Sequence, residues 1–236
     1  MTAWKQYQED TAALFRELGC QAATDLEVQG VRGKHLVDVS VRFSRFGLHL
    51  HWIVECKFWK SAVPKEKILA LKSIVEDTGA DRGILVSESG HQSGAIDAGR
   101  MTNITLTSLE GLRSAARADL LSLGLAEVHR RAAQMKAYVF SLWETTRHSA
   151  NYSESKLRAG VNGNLALRLG GAVSIIGMGL EEAMLGRFPA PLPVLNDGDR
   201  IVRANDLDEF VTAASKVLDC LDVQIAELSN PIVSSK

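Results

Sequence analysis

Two stretches in which apolar and polar residues alternate constrain the fold of this chain more than any other feature. In residues 36–43 apolar side chains occupy every second position, and Asp38 lies among the polar residues between them. In residues 48–57 the alternation recurs, with Glu55 and Lys57 among the polar residues. A period of two is typical of β-strands that have one apolar face. The two stretches therefore predict the arms of one β-hairpin.

The pairing of the two arms follows from the segment between them. Residues 44–47 predict a four-residue hairpin loop, which sets Asp38 opposite Ile53. In that register Asp38 and Glu55 share the polar face one diagonal step apart, with Lys57 two residues further along. A slip of one residue would bury this polar set, so the apolar pattern supports the register.

Two carboxylates and an ammonium group brought together can form a hydrolytic centre. The oxygens of Asp38 and Glu55, with the backbone carbonyl of Cys56, are hard ligands suited to Mg²⁺. Lys57 could then orient or deprotonate a water molecule for attack. The alternative is an ordinary solvated ion cluster on the open face of a sheet, which would contribute little stability. Spacing alone leaves both interpretations open.

The surrounding segments predict the order α, β-hairpin, α, β, α, β for the first half of the chain. An apolar stripe in residues 4–18 predicts a first helix that ends at Gly19, and a short strand is expected near residues 25–31. Pro64 opens a second helix that ends near Gly79. The remaining expected elements are a strand at residues 83–86, a short helix at 93–101 and a strand at 104–106.

Four groups of residues occur in a specific order and spacing. They are residues 7–9 (Tyr-Gln-Glu), 30–39 (Gly-Val-Arg-Gly-Lys-His-Leu-Val-Asp-Val), 52–57 (Trp-Ile-Val-Glu-Cys-Lys), and 83–87 followed by 92–95. In this arrangement about the first 115 residues resemble the Mrr-like branch of the PD-(D/E)xK restriction-endonuclease-fold nucleases. The resemblance implies an α/β fold with a restriction-endonuclease-like core, a central mixed sheet flanked by helices.

The resemblance also implies roles for individual residues. Asp38 and Glu55 would hold the metal, Mg²⁺ with Mn²⁺ as a substitute, Lys57 would be the catalytic lysine, and DNA would be the substrate. Family members often carry a glutamate on the first helix near the metal, and Gln8 rather than Glu9 aligns with it. Gln8 borders the apolar stripe and could reach a metal-bound water. Glu9 lies opposite the stripe, so a surface acid is expected there unless that helix packs differently.

Residues beside this centre are candidates for contact with nucleic acid. Lys60 and Lys65 follow the second arm closely, with Phe58 and Trp59 interleaved, and His35 precedes Asp38 in the loop before the first arm. Contacts with phosphate supply most of the non-specific affinity for nucleic acid. A solvated helix face and an ordinary loop histidine are the alternatives.

A His-x-His pattern at His49 and His51 offers another metal site. Zinc normally needs three or four converging ligands. The hairpin register sets both histidines toward the loop, away from Glu55. We expect them to face solvent or to touch nucleic acid.

Composition limits the partners and the location. With a net charge of −1, the chain must bind nucleic acid through local positive patches and the metal. Three widely spaced cysteines form no disulfide pattern, which fits a reducing cytosol, and the first ten residues lack a signal-peptide pattern. The most apolar stretch, residues 165–180, is too short for a membrane span and contains Arg168. We therefore expect a cytoplasmic protein without a membrane segment.

Residues 116–236 predict a second, mainly helical domain of unknown role. Its expected segments are a helical tract at 112–146, a polar break at 149–153, a glycine-rich segment of turns or close packing at 160–186, and a proline connector at 189–193. Asn205 is expected to cap a last helix that runs to about Leu228 with a wide apolar stripe. This stripe exceeds what a small domain must bury alone, so part of it is expected to form an interface. Cutting both strands of a duplex also needs two active centres, so we expect a homodimer or a higher oligomer. Packing of the stripe within its own chain is the alternative.

Taken together, the residues and the resemblance predict a Mg²⁺-dependent endonuclease that hydrolyses phosphodiester bonds, with DNA as the substrate that the resemblance implies and with an activity suited to restriction or phage defence. The alternative is a non-catalytic nucleic-acid-binding or assembly module that retains the nuclease fold. The complete set of Asp38, Glu55 and Lys57 favours the enzyme.

Overall fold

The structure, a computed structural model, describes residues 2–147, 153–195 and 200–229. The polar break predicted at residues 149–153 lies outside the described residues, except that Ser153 begins a strand. The chain forms two compact units, Met1–Leu120 and Leu121–Lys236. Independent folding of domains at residues 1–115 and 116–236 stays a prediction.

The first unit is built on a five-stranded sheet with helices on both faces. Its helices are α1 (Ala3–Glu17), α2 (Lys65–Thr78), α3 (Ser93–Gly99) and α4 (Leu109–Ala115). Its strands are β1 (Gln21–Gln29), β2 (Lys34–Arg45), β3 (Leu48–Cys56), β4 (Arg82–Val86) and β5 (Ile104–Thr107). The predicted order of elements is confirmed, although β1 begins earlier than expected and pairs along most of its length with β2.

The sheet is mixed, and its strands lie in the order β1-β2-β3-β4-β5. The first three strands are antiparallel neighbours, whereas β4 and β5 run parallel to β3. Phe15 of α1 packs against one face of the sheet, and Leu71 of α2 packs against the other. Helices therefore cover both faces, which confirms the predicted restriction-endonuclease-like fold class.

The ends of α1 and α2 follow the predicted signals. Pro64 precedes α2, and Gly79 follows it with a φ of 68°. Glycine adopts this left-handed conformation without the steric cost that a Cβ would bring. Gly19 follows α1 in the same way.

The hairpin between β2 and β3 has a tighter turn than the four-residue loop predicted at residues 44–47. Arg45 pairs with Leu48, so Phe46 and Gly47 alone form the loop. Both have positive φ angles, 54° and 78°. A two-residue turn of this kind has a twist that matches the twist of the flanking strands, which explains why it replaces the longer loop.

The tighter turn shifts the register of the hairpin by two residues. Ile53 pairs with Ser40 and not with Asp38. Because side chains alternate with a period of two, a shift of two keeps the polar faces of both arms together. In this register Asp38 and Glu55 each come one position beyond the last pair, Val39 and Val54, instead of one diagonal step apart.

The alternation of β2 breaks at Asp38. Val37 packs in the apolar cluster on the α2 side of the sheet, whereas Val39 and Val41 pack on the α1 side. Asp25, opposite this point in β1, has a φ of 51°, which interrupts the regular strand. The expectation that all valines of this arm share one face was therefore wrong at Val37.

The second unit is mainly helical, as predicted. Its helices are α5 (Arg117–Ser141), most of which lies in this unit, α6 (Gly163–Met184) and α7 (Leu207–Ser229). Its strands form two short antiparallel pairs, β6 (Trp143–Arg147) with β7 (Ser153–Leu157), and β8 (Ala190–Pro193) with β9 (Ile201–Ala204).

Two segments of this unit differ from their predictions. The helical tract expected up to residue 146 ends at Ser141, and Trp143 begins β6. Residues 160–186 form mostly the helix α6 and not a series of turns. Gly179 shows the expected close packing, because a Cβ there would lie 2.1 Å from the carbonyl oxygen of Pro191.

The cap of α7 is Asp206 and not Asn205. Asp206 Oδ1 accepts the backbone N–H of Glu209 at 2.8 Å. Glu209 Oε2 in turn accepts the backbone N–H of Asn205 at 2.8 Å. This reciprocal arrangement satisfies two backbone donors at the start of the helix, and it sets the helix boundary one residue later than predicted.

The apolar stripe of α7 is buried inside the second unit. Phe210, Ala214, Leu218 and Leu221 are fully buried and pack in one cluster with Ile176 of α6. The expectation that this stripe is an exposed interface was therefore wrong. The alternative, packing within its own chain, is what the structure shows.

Among the described residues, α6 is long and apolar enough to cross a membrane by length and composition alone. It has 22 residues and reaches a mean hydropathy of 1.3 over its most apolar window. Only part of that window, 39%, is buried, although α6 supplies several core residues of its unit. The helix extends beyond residues 165–180, so length alone does not exclude a span, and the absence of a membrane segment stays a prediction.

Candidate active site

The candidate site lies where β2 and β3 separate. The two strands pair as far as Val39 and Val54. Beyond that pair, the backbone N–H of Cys56 donates to Asp38 Oδ2 at 2.8 Å. The carboxylate of Asp38 is therefore fixed to the backbone of β3 at the point of separation.

Lys57 lies between two carboxylates. Its ammonium group contacts Glu55 Oε1 and lies 3.7 Å from Asp38 Oδ2. The side chains of Lys57, Asp38 and Glu55 are 14%, 23% and 24% exposed, so the site is partly buried and still open to solvent. The structure thus brings the three predicted side chains together.

The ammonium group of Lys57 faces two carboxylates. Burial raises the pKa of Glu55, and the negative charge of Asp38 raises it further, while Lys57 and the more remote Lys67 oppose both effects. A cation bound here would stabilise the ionised form of Glu55. The site therefore favours additional positive charge.

The donor atoms at this position fit a hard divalent cation. The Cys56 side chain packs in the apolar cluster on the α1 side of the sheet, where burial raises the pKa of its thiol to about 12, so the backbone carbonyl is the candidate ligand of this residue. Two carboxylates and a carbonyl are the oxygen ligands that Mg²⁺ takes together with several waters. Within residues 2–147, 153–195 and 200–229, no three His, Cys, Asp or Glu side chains group as a metal cluster.

Gln8 of α1 binds Asp38 from the other side. The side chain is buried, with 1% of the residue exposed, and its Nε2 donates to Asp38 Oδ1 at 2.6 Å. Its Oε1 has no hydrogen-bond partner in the part of the chain that the structure describes. Glu9 instead forms a surface ion pair with Arg16 at 2.6 Å. Of the two accessory candidates, only Gln8 contacts the site.

A neighbouring network was not found in the sequence. Tyr7 Oη donates to Glu88 Oε1 at 2.7 Å, and the same oxygen accepts the backbone N–H of Leu109 at 2.8 Å. Burial raises the pKa of Tyr7, so the phenol stays protonated. Glu88 comes shortly after β4, and a polar residue at the carboxyl end of a buried parallel strand is the signal that could have revealed it.

His35 is bound by a buried carboxylate that the sequence did not reveal. Its Nε2 lies 2.6 Å from Asp77 Oδ2, and Arg32 Nε donates to Asp77 Oδ1 at 2.7 Å. These bonds, first from His35 and then from Arg32, lower the pKa of Asp77 to about 2. A Cβ at Gly30 would lie 2.2 Å from Asp77 Oδ2, so only glycine fits at that position. The cluster ties the turn before β2 to the end of α2.

The remaining predicted side chains lie outside this group. Lys60 and Lys65 are exposed, in the loop after β3 and at the start of α2. His49 and His51 lie toward the hairpin turn, where their rings are 2.8 and 2.9 Å from serine hydroxyls of β2. Both histidines therefore have partners at a distance from Glu55.

Comparisons with known proteins find a match to a family model in the first unit. The family model Mrr_cat, which describes a restriction endonuclease, matches residues 1–116. The crystal structure of AF1548, a protein of unknown function, aligns at 15% identity and a TM-score of 0.40 over 91% of this chain and 98% of that one. AspBHI, a DNA modification-dependent restriction endonuclease, aligns at 15% identity and a TM-score of 0.34 over 48% of this chain and 31% of its own. No curated protein matches the chain.

Proposed function

We propose that residues 1–116, which the restriction endonuclease family model matches, form a divalent-metal-dependent endonuclease that hydrolyses phosphodiester bonds in DNA. The observation that carries the proposal is the convergence of Asp38, Glu55 and Lys57 at one point of the sheet. A solvated ion cluster is the poorer interpretation, because these side chains are partly buried and Gln8 anchors Asp38.

The residues that would hold the metal are Asp38, Glu55 and the carbonyl of Cys56, with Mg²⁺ as the expected ion and Mn²⁺ as a substitute. A bound divalent cation supplies Lewis-acid chemistry, since it stabilises the negative charge that develops on the phosphoryl oxygens. Gln8 keeps Asp38 oriented through its bond to Oδ1. An all-oxygen donor set explains the preference for these ions over zinc.

Lys57 is the residue proposed to act on the attacking water. Its ammonium group lies beside both carboxylates, so it can donate a hydrogen bond to a water molecule or to a phosphoryl oxygen at the same place. The water oxygen attacks phosphorus and releases a proton to solvent, one P–O ester bond breaks, and the departing oxygen takes up a proton from solvent. Loss of the ammonium group should therefore remove activity without removing the carboxylates.

DNA binding is proposed to rest on local charge. The chain carries a net charge of −1, so binding cannot depend on overall attraction. Lys60 and Lys65 are exposed, follow Lys57 within eight residues of the chain, and are proposed to contact phosphates. His35 is a weaker candidate, because Asp77 already engages its Nε2.

Assembly and location are further proposals. Cutting both strands of a duplex still favours a homodimer, because the described part of the chain holds one candidate centre and the strands of the duplex are antiparallel. The buried stripe of α7 no longer supports this, so the role of residues 116–236 in assembly rests on the symmetry argument alone. Cytoplasmic location rests on the spacing of Cys20, Cys56 and Cys220, which form no disulfide pattern.

The test is cleavage of a supercoiled plasmid by the full chain with Mg²⁺ or Mn²⁺, with EDTA, and with the Lys57→Ala variant. We expect cleavage with either metal and none with EDTA or the variant. DNA binding without cleavage in every metal would favour the alternative, a binding or assembly module that retains the nuclease fold. Cleavage by Lys57→Ala at the wild-type rate would contradict the role of the lysine.

A further inference from the structure

Two large aromatic side chains directly follow Lys57 and remain in solvent. Phe58 is 53% exposed and Trp59 is 40% exposed. Neither contributes to the buried clusters that hold α1 and α2 on the sheet. Exposed aromatic area next to a polar centre is typical of a contact surface, since folding alone does not require it.

The backbone that carries these rings is fixed from two directions. Ser89 Oγ, in the segment after β4, donates to the carbonyl oxygen of Trp59. The Phe58 ring packs against Tyr7 of α1 with ring centroids 5.4 Å apart. The Phe58 ring and the backbone of Trp59 are therefore held in place, which lowers the entropic cost of ordering them when a ligand binds.

Two ammonium groups flank the Trp59 ring. Lys57 Nζ lies 6.0 Å from the ring centroid, and Lys67 Nζ, from the first turn of α2, lies 5.8 Å from it. Positive charge and a flat aromatic surface are thus combined beside the catalytic lysine. A nucleotide has the complementary pair of features, a negative phosphate and a flat base.

Given the proposed nuclease function, we propose that Phe58 and Trp59 form a stacking surface for an unpaired nucleobase next to the cleaved phosphodiester bond. A base inside a regular duplex has both faces covered by its neighbours, so it can stack on a protein ring only after it leaves the helix. Lys57 and Lys67 neutralise the phosphates on either side of that base. The preferred substrate is therefore DNA with an unstacked base at the cleavage site.

Binding of short strands separates stacking from charge. A labelled oligothymidylate and an abasic strand with the same phosphates are titrated with the full chain in the absence of metal. Stacking on an aromatic side chain changes affinity by about 5- to 150-fold per base, so the wild type should bind the oligothymidylate more tightly than the abasic strand by a factor in this range. Trp59→Ala should lose most of that difference, and Trp59→Phe should keep most of it.

Lys67→Ala is the matched control for charge. It removes a proposed phosphate contact and should weaken binding to both strands by the same factor. If Trp59→Ala also weakened both strands equally, the ring would serve only to align Lys57 and Lys67, and the stacking proposal would be overturned. Thermal unfolding of each variant shows whether the fold is intact, which the exposure of Trp59 leads us to expect.

Cleavage distinguishes this inference from the proposed function. A matched duplex and the same duplex with one mismatched base are compared in Mg²⁺. Faster cleavage at the mismatch, lost in Trp59→Ala, is the expected result. Equal cleavage of both duplexes would overturn the stacking proposal and leave the nuclease function standing. If neither duplex were cleaved but binding of short strands still depended on the base, the proposed nuclease function would be wrong and the stacking surface would stand.

Discussion

Replacing Gln8 with leucine should remove most of the nuclease activity and leave the fold intact. Gln8 is buried, and its amide donates to the carboxylate of Asp38 at 2.6 Å. A hydrogen bond to a charged group contributes about 1.5–3 kcal/mol. If that bond aligns Asp38 in the transition state, its loss lowers kcat/KM by about 10- to 150-fold.

The stability of this variant should change much less than its activity. Leucine has nearly the size of glutamine, and it also removes the buried Oε1 that has no partner among the described residues. The two effects oppose each other, so the free energy of unfolding should change by about 1 kcal/mol or less. Plasmid cleavage rates and thermal unfolding of the same preparations measure the two quantities.

Glu9→Ala is the matched control on the same helix. Glu9 forms an exposed ion pair with Arg16, a kind of contact that contributes about 0–1 kcal/mol, so this variant should cleave at close to the wild-type rate. A Gln8→Leu protein with wild-type activity would refute the role given to Gln8. That role would also be refuted if Gln8→Leu lost activity only to the extent that it lost the folded state.

Three further predictions concern acid stability, packing and metal choice. The pKa of Asp77 is lowered to about 2 in the folded chain against 3.8 ordinarily, so the stabilising contribution of this carboxylate is complete above about pH 4 and is lost as the pH falls toward 2. The urea midpoints of the wild type and of Asp77→Asn should therefore converge at acid pH. A difference between the two midpoints that stays constant with pH would contradict this. Gly179→Ala would bring a Cβ to 2.1 Å from the Pro191 carbonyl oxygen and 2.7 Å from the Phe210 ring. We therefore expect the free energy of unfolding in urea to fall by about 1–3 kcal/mol, and an unchanged urea midpoint would refute this close packing. Cleavage should proceed with Mg²⁺ and Mn²⁺, while Ca²⁺ should support DNA binding with little turnover, and rapid cleavage in Ca²⁺ would contradict the proposed coordination.

The sequence was sufficient for the parts of the fold that depend on local patterns. Alternation in residues 36–43 and 48–57 predicted the hairpin, and Gly79 and Pro64 marked the limits of α2. These signals act within a few residues of the chain. They do not report which elements meet across the fold.

The predictions differ from the structure mostly where contacts between distant parts of the chain determine the local geometry. The turn at Gly47 is shorter than predicted because the twist of the paired strands selects a two-residue loop. The bond from Gln8 to Asp38 depends on how α1 lies on the sheet, and Asp77 meets His35 across 42 positions of sequence. The stripe of α7 gave no indication of its partner, because an apolar face has the same pattern whether it is buried within the unit or forms an interface.

The most direct test of the proposed function is metal-dependent plasmid cleavage by Glu55→Gln. Glutamine preserves the size of the side chain and removes the negative charge that is proposed to bind the cation beside Asp38 and Lys57. We predict that cleavage is lost and that the free energy of unfolding changes by no more than about 1 kcal/mol. Cleavage at the wild-type rate by folded Glu55→Gln protein would contradict the assignment of this site.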